Sequence, residues 1–220
     1  MNMNNNTAAE RWSDAMAACG VPSDLARILS IPTLSRSQLP REYHGLETRI
    51  LGLLDVHSGR IFACDSFSAD RSSPYELSVP NGTYPVCFTI VPKTGVIAFA
   101  SIEVGMGVPE SWVAVRRQPT PERREFNLNY VPIDTGSVAI MDAADAPLFG
   151  TPIDRLGRDA FLEEFGMRSI KVKAFQHNFE GRSAYVVSSG RGDGAYRTYA
   201  GHDARGALVS LVMDFNVIAT

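Results

Sequence analysis

The chain has 220 residues, 45% apolar and 20% charged, which is ordinary for a soluble globular protein with one sizeable core or two small ones. A net charge of −3 and a pI near 5.8 leave no electrostatic footprint for nucleic acid. No apolar run approaches the roughly 18–20 residues of a membrane span, so neither nucleic acid nor a membrane is an expected partner.

Residues 1–6, Met-Asn-Met-Asn-Asn-Asn, lack the basic and apolar regions of a secretory signal and read as a disordered polar tail. Residues 7–220 read as a single globular domain, with a helical part over 7–31 and a β-rich body over 47–220. Thr7 and Glu10 fit a capping box, with Ala8, Trp12, Ala15, Met16 and Cys19 on one helical face and Gly20 as the stop. Ser23 can cap a second short helix that turns Leu25, Ile28 and Leu29 inward and ends at Pro32.

From Glu47 the pattern changes to strands. Arg49–Val56 and Arg60–Cys64 flank Ser58-Gly59, a compact hairpin signal. Thr83–Val91 and Val96–Val104 flank Pro92-Lys93-Thr94-Gly95, a second hairpin. Ser111–Arg117 is a strand centred on Trp112, and Gln118–Glu125 an exposed loop. Ser137–Met141 is a short strand, Asp154–Phe165 a helix ending at Gly166, and Ile170–Phe175 a strand. The tail from Ser183 to Phe215 reads as a three-strand meander. The expected fold is therefore α+β, with about ten largely antiparallel strands, two N-terminal helices and one helix near 154–165.

Cys19, Cys64 and Cys87 are odd in number and widely spaced, which disfavours a disulfide framework or a zinc finger. Cys64 and Cys87 fall in apolar runs, as buried free thiols do, and a reducing, cytoplasmic location follows. There is no P-loop or Gly-x-Ser-x-Gly elbow, and no base partner for Ser188 or Ser189. Asp55-x-His57 can ligate a metal but also suits a solvated turn, and His202 beside Asp203 reads as a loop-surface residue. Arg116, Arg117, Arg123 and Arg124 cluster around the 118–125 loop, diluted by Glu122 and Glu125. Trp12 and Trp112 read as core.

The C-terminal block carries a family resemblance. Ser189-Gly190-x-Gly192-Asp193-Gly194-x-Tyr196, then Gly201-x-Asp203-x-x-Gly206, then Leu211-Val212-x-Asp214-Phe215, resembles the signature of the bacterial Domain of Unknown Function 4241 family. Gly82-x-Tyr84-Pro85-Val86 and the Asp134-x-Gly136 … Met141-Asp142-Ala143 segment agree with it. Arg191 and Arg197 stand where that family commonly carries an aromatic and a proline. The resemblance implies a fold and carries over no catalytic residue.

The same block supplies the candidate site. A hairpin across Gly201–Gly206 that pairs Ala200 with Ala207 sets Asp193 opposite Asp214. Two close carboxylates can hold a divalent cation or split their pKa values into an acid and a base. Asp193 and Asp214 are thus the catalytic candidates, and Gly192, Asp193, Gly194, Tyr196 and Asp214 the ligand- or partner-binding ones. The metal candidates are Asp193, Asp214 and Asp142, with Asp134 a further ligand. Aspartate between glycines equally suits a tight turn. Two functions follow. One is a non-enzymatic interaction module, of the kind that neutralises a basic toxin as an immunity protein does. The other is a metal-dependent or acid–base hydrolase built on the aspartate pair; no cofactor is expected beyond a divalent cation in that case.

Overall fold

A computed structural model of the chain describes residues 21, 23–34, 41–67, 69, 72–119, 128–149, 157–161, 163 and 167–218. The expected first helix, most of the 118–125 loop with Arg123 and Arg124, and much of the 154–165 helix lie outside these residues. The described residues form eleven strands: β1 (Glu47–Val56), β2 (Ile61–Asp65), β3 (Gly82–Val91), β4 (Val96–Glu103), β5 (Ser111–Ala114), β6 (Val131–Ile133), β7 (Ser137–Asp142), β8 (Ala174–Phe179), β9 (Arg182–Ser188), β10 (Gly194–His202) and β11 (Leu208–Asp214). The helices are α1 (Ser23–Leu29), α2 (Ala146–Phe149), α3 (Arg158–Phe161) and α4 (Met167–Val172).

All described pairings are antiparallel and make two sheets. The larger runs β1-β3-β4-β11-β10-β5, with β6 also on β10; the smaller runs β2-β7-β9-β8. The expected α+β, β-rich class is found, and the β3–β4 hairpin and the helix after Ser23 stand where the sequence places them.

Side-chain alternation explains how the sheets stack. Leu54, Val56, Val86, Ile102, Leu211 and Met213 of the larger sheet meet Ile61, Ala63, Val138, Ile140, Tyr185 and Val187 of the smaller one. The opposite face of the smaller sheet buries Phe62, Cys64, Met141, Phe175 and Val186 with Phe149 of α2. The opposite face of the larger sheet buries Phe99, Trp112, Tyr199 and Val212 beneath Ile28, Leu29 and Ile31. Trp112 is thus core, and its indole N–H donates to Ser30 Oγ at 3.3 Å.

Three local readings are corrected. The segments around Ser58-Gly59 do not pair, because β1 joins the larger sheet and β2 the smaller. The turn is a crossover between layers, which a local turn signal does not distinguish from a hairpin. The tail is strand, turn, strand, turn, strand, but β9 belongs to the smaller sheet, so only β10 and β11 form a hairpin. Residues 170–175 are not a strand: α4 ends at Val172, Lys173 takes φ 69°, and β8 begins at Ala174. The β-branched Ile170 and Val172 favour a strand only weakly against a helical context.

The long-range β2–β7 ladder is held at both ends by aspartates. Asp65, closing β2, accepts from the amides of Asp134 (2.7 Å) and Thr135 (2.9 Å) just ahead of β7. Asp142, closing β7, accepts from the amides of His57 and Ser58 (both 2.9 Å) just ahead of β2. Each strand's last residue fastens the loop that leads into its partner.

Candidate functional site

The C-terminal corner is tightly built. Gly190 (φ 56°) and Gly192 (φ 119°) adopt conformations that side chains disfavour, and a Cβ at Gly190 would lie 2.8 Å from the Phe215 carbonyl oxygen. Gly192 N–H donates to the Ser189 carbonyl at 2.8 Å, and the Tyr196 hydroxyl donates to the Gly192 carbonyl at 2.7 Å. Tyr196 packs edge-on against Phe215 with ring centroids 5.2 Å apart. Burial pushes the Tyr196 hydroxyl pKa up, so the phenol stays a donor.

The register differs from the expected one. Asp214 lies opposite Arg197, and Ala200 opposite Leu211 rather than Ala207. Asp193 precedes the strand, four residues from Arg197, a displacement of about 13 Å along the strand. Asp193 is exposed, whereas Asp214 is buried and accepts from the Asn216 amide at 2.8 Å. The loop 203–207 is tighter than the pairing of Ala200 with Ala207 assumed, because Asp203 closes it through the amides of Arg205 and Ala207. Burial raises the Asp214 pKa, and the Asn216 amide opposes it.

Asp142 has a different environment. Its Oδ2 accepts from the His57 and Ser58 amides and from Ser58 Oγ, all at 2.9 Å, and its Oδ1 accepts from the Ala144 amide at 2.8 Å as the cap of a 3-10 turn (Ala143–Asp145). That turn delivers Asp145, three residues on, to the same place. His57 Nε2 stands 3.5 Å from Asp142 Oδ1 and 3.5 Å from Asp145 Oδ1. The donor atoms of the three residues all lie within 4.8 Å of one another. Arg182 closes the cluster, with Nε 3.3 Å from Asp145 Oδ1. It opens β9 after the tight turn Glu180-Gly181, whose residues have φ 47° and 76°.

Both carboxylates are withdrawn from water: the Asp142 side chain is 0% exposed and that of Asp145 6%, while His57 keeps 34% and Arg182 44%. Burial pushes Asp142 up, but the Ser58, Ala144 and His57 amides and the Ser58 hydroxyl outweigh it and hold the carboxyl below its ordinary range. Burial raises Asp145, assisted by Asp142 and Asp55 and opposed by His57 and Arg182. Of the sequence candidates, the fold therefore gathers Asp142 and His57 with a further ligand-type side chain, Asp145. Asp134 is exposed and contributes its backbone amide to Asp65. Asp145 and Arg182 carry no motif of their own. An aspartate cap followed three residues later by a second acid was the available signal for Asp145.

The remaining side chains singled out in the sequence take structural places. Arg117 is buried and donates to Ser72 Oγ at 2.6 Å, while Arg116 is exposed. Cys64 and Cys87 are buried free thiols, and burial beside Glu103 pushes Cys87 up to about 12, which keeps it protonated. His202 is 6% exposed, not a surface residue.

The open edge of the larger sheet is the second surface of interest. β1 runs ten residues with a bulge: Ile50 faces Cys87 and Gly52 faces Val86, leaving Leu51 without an opposite residue. The extra residue turns Leu51 toward the core and puts Ile50 and Leu53 on the outward face, 70% and 58% exposed. A glycine is required at 52, since a Cβ there would meet Tyr185 Cε1 at 2.5 Å. The Tyr185 hydroxyl donates to the Leu53 carbonyl at 2.6 Å.

Among the described residues no helix is long and apolar enough to cross a membrane. A family model described as a protein of unknown function (DUF4241) matches residues 54–213. No curated protein and no solved structure matches the chain.

Proposed function

This chain belongs to the DUF4241 family, and we propose that it is a non-enzymatic protein-binding module that docks a basic partner on the outward face of β1, as an immunity protein docks a toxin. The observation that carries this reading is the exposure of Ile50 (70%) and Leu53 (58%) side by side on an edge strand. Sheet edges are ordinarily shielded by charge, proline or a covering segment, and large apolar residues left on one are binding surface. Asp55, two residues beyond Leu53 on the same face of the strand, lends the surface acidic character. With the chain's net charge of −3 this favours a basic partner through faster encounter. The two described cysteines are free, in keeping with a cytoplasmic site of action. A hydrolase built on Asp193 and Asp214 lacks the cross-strand pairing it requires.

The test is co-expression with the products of neighbouring genes followed by native mass spectrometry. A stable complex with a basic protein is expected, and Ile50→Glu combined with Leu53→Glu should abolish it while leaving the melting temperature unchanged. Absence of any complex, or a complex indifferent to both substitutions, overturns the reading.

A further inference from the structure

The geometry points to a second, separate site: a divalent zinc-type cation held by His57 Nε2, Asp142 Oδ1 and Asp145 Oδ1. Three features of the cluster support it, and none depends on the β1 surface.

The first is spacing. Metal–ligand bonds of about 2.0–2.1 Å at tetrahedral angles separate neighbouring ligand atoms by about 3.3–3.4 Å, whereas the right angles of an octahedral site separate them by about 2.9 Å. The imidazole nitrogen stands 3.5 Å from each carboxylate oxygen, close to the tetrahedral value.

The second is unmet bonding. Among the described residues Nε2 of His57, the nitrogen offered to the cation, makes no hydrogen bond, its nearest acceptors standing 3.5 Å away. At 3.5 Å the imidazole is too distant from the carboxylates for a good hydrogen bond. The ring is held between two acceptors without bonding to either. Asp145 differs from Asp142 in the same respect: no backbone amide donates to it among the described residues.

The third is charge. Two carboxylates almost removed from water face one guanidinium, Arg182, whose own side chain is 44% exposed. Two buried carboxylates against one guanidinium leave a deficit of permanent positive charge, and buried charges require partners. A dication supplies that compensation. Two carboxylates and one imidazole form a borderline donor set that suits Zn²⁺ better than Mg²⁺. Asp142 is already oriented by outer contacts, since Ser58 and the His57 amide occupy its other oxygen.

The full chain, stripped with chelator, is titrated calorimetrically with zinc chloride and, in parallel, with magnesium chloride. A single equivalent of Zn²⁺ is expected, bound about a hundredfold or more tighter than Mg²⁺. Co²⁺ in its place should give the visible absorption of a tetrahedral centre. His57→Ala and Asp145→Asn should each weaken Zn²⁺ at least about tenfold with an unchanged far-ultraviolet circular dichroism spectrum. If His57→Ala fails to fold, Asp145→Asn and His57→Gln carry the comparison. No Zn²⁺ binding, or binding that these variants leave intact, overturns the site and identifies the cluster as an ion-pair knot.

Discussion

Gly52→Ala is the sharpest probe of how the β1 surface is made. The added methyl would sit 2.5 Å from Tyr185 Cε1, 3.0 Å from its hydroxyl and 3.1 Å from Cζ. The ring has little room to yield: Tyr185 is 1% exposed, lies in the core between the sheets, and donates to the Leu53 carbonyl at 2.6 Å. Overpacking of this kind costs about 1–3 kcal/mol, and losing the hydroxyl bond about 1 kcal/mol more. Gly52 has no positive φ, so alanine strains no backbone and returns about 0.4–1 kcal/mol by restricting the unfolded chain. The net loss is about 1–3.5 kcal/mol, or roughly 2–14 °C in melting temperature for a chain of this size. Urea denaturation followed by tryptophan fluorescence measures it. In a Tyr185→Leu background the same alanine should cost less than about 1 kcal/mol, because the obstructing ring is gone. A loss under about 0.5 kcal/mol in the natural background, or an equal loss in both, would refute the claim that this glycine exists to admit that tyrosine.

Two further outcomes follow from the buried polar groups. Asp65 is 5% exposed and accepts from the amides of Phe67, Asp134 and Thr135 and from the Thr135 hydroxyl, so Asp65→Ala should lower stability by about 2–4 kcal/mol in urea denaturation. A change near zero would show that those donors find other acceptors. Burial lowers the His202 pKa despite the Ala200 backbone and Asp203, so the folded state resists protonation while the unfolded histidine accepts a proton near about 6.5. Its contribution is fully present above that pH and is lost as pH falls toward the depressed folded value. His202→Gln should therefore flatten the stability profile between about pH 7 and 5, and an unchanged slope on substitution would assign the acid sensitivity elsewhere.

Legibility followed the range of the interactions. The β3–β4 hairpin could be read because Pro92-Lys93-Thr94-Gly95 settles its own turn, with Gly95 at φ 69°. Ile28, Leu29 and Trp112 could be read as core from periodicity and size. The sheet to which each strand belongs could not, since Ser58-Gly59 and Gly190–Gly194 look alike whether the chain doubles back or crosses to another layer. The β10–β11 register failed for a related reason: Asp203 tightens the loop through its own side chain, and an irregularity between Gly201 and His202 slips the pairs beyond it by one more residue. Asp142 was visible in its motif and Asp145 follows it by one local turn, but His57 and Arg182 converge on them only through pairing between segments some forty to eighty-five residues apart. The need for glycine at 52 is equally silent, because Tyr185, the side chain it admits, lies in the other sheet.

The two aspartate fastenings of β2 and β7 bear on the course of folding. Neither strand can complete its end contacts until the other has arrived, and more than seventy residues separate them in the chain. Closing a loop of that length forfeits entropy before any compensating contact forms, which places this ladder late and slow in assembly. A one-residue slip would turn the shifted strand's side chains to the wrong face and unseat both carboxylates together, so the ladder has a single admissible alignment.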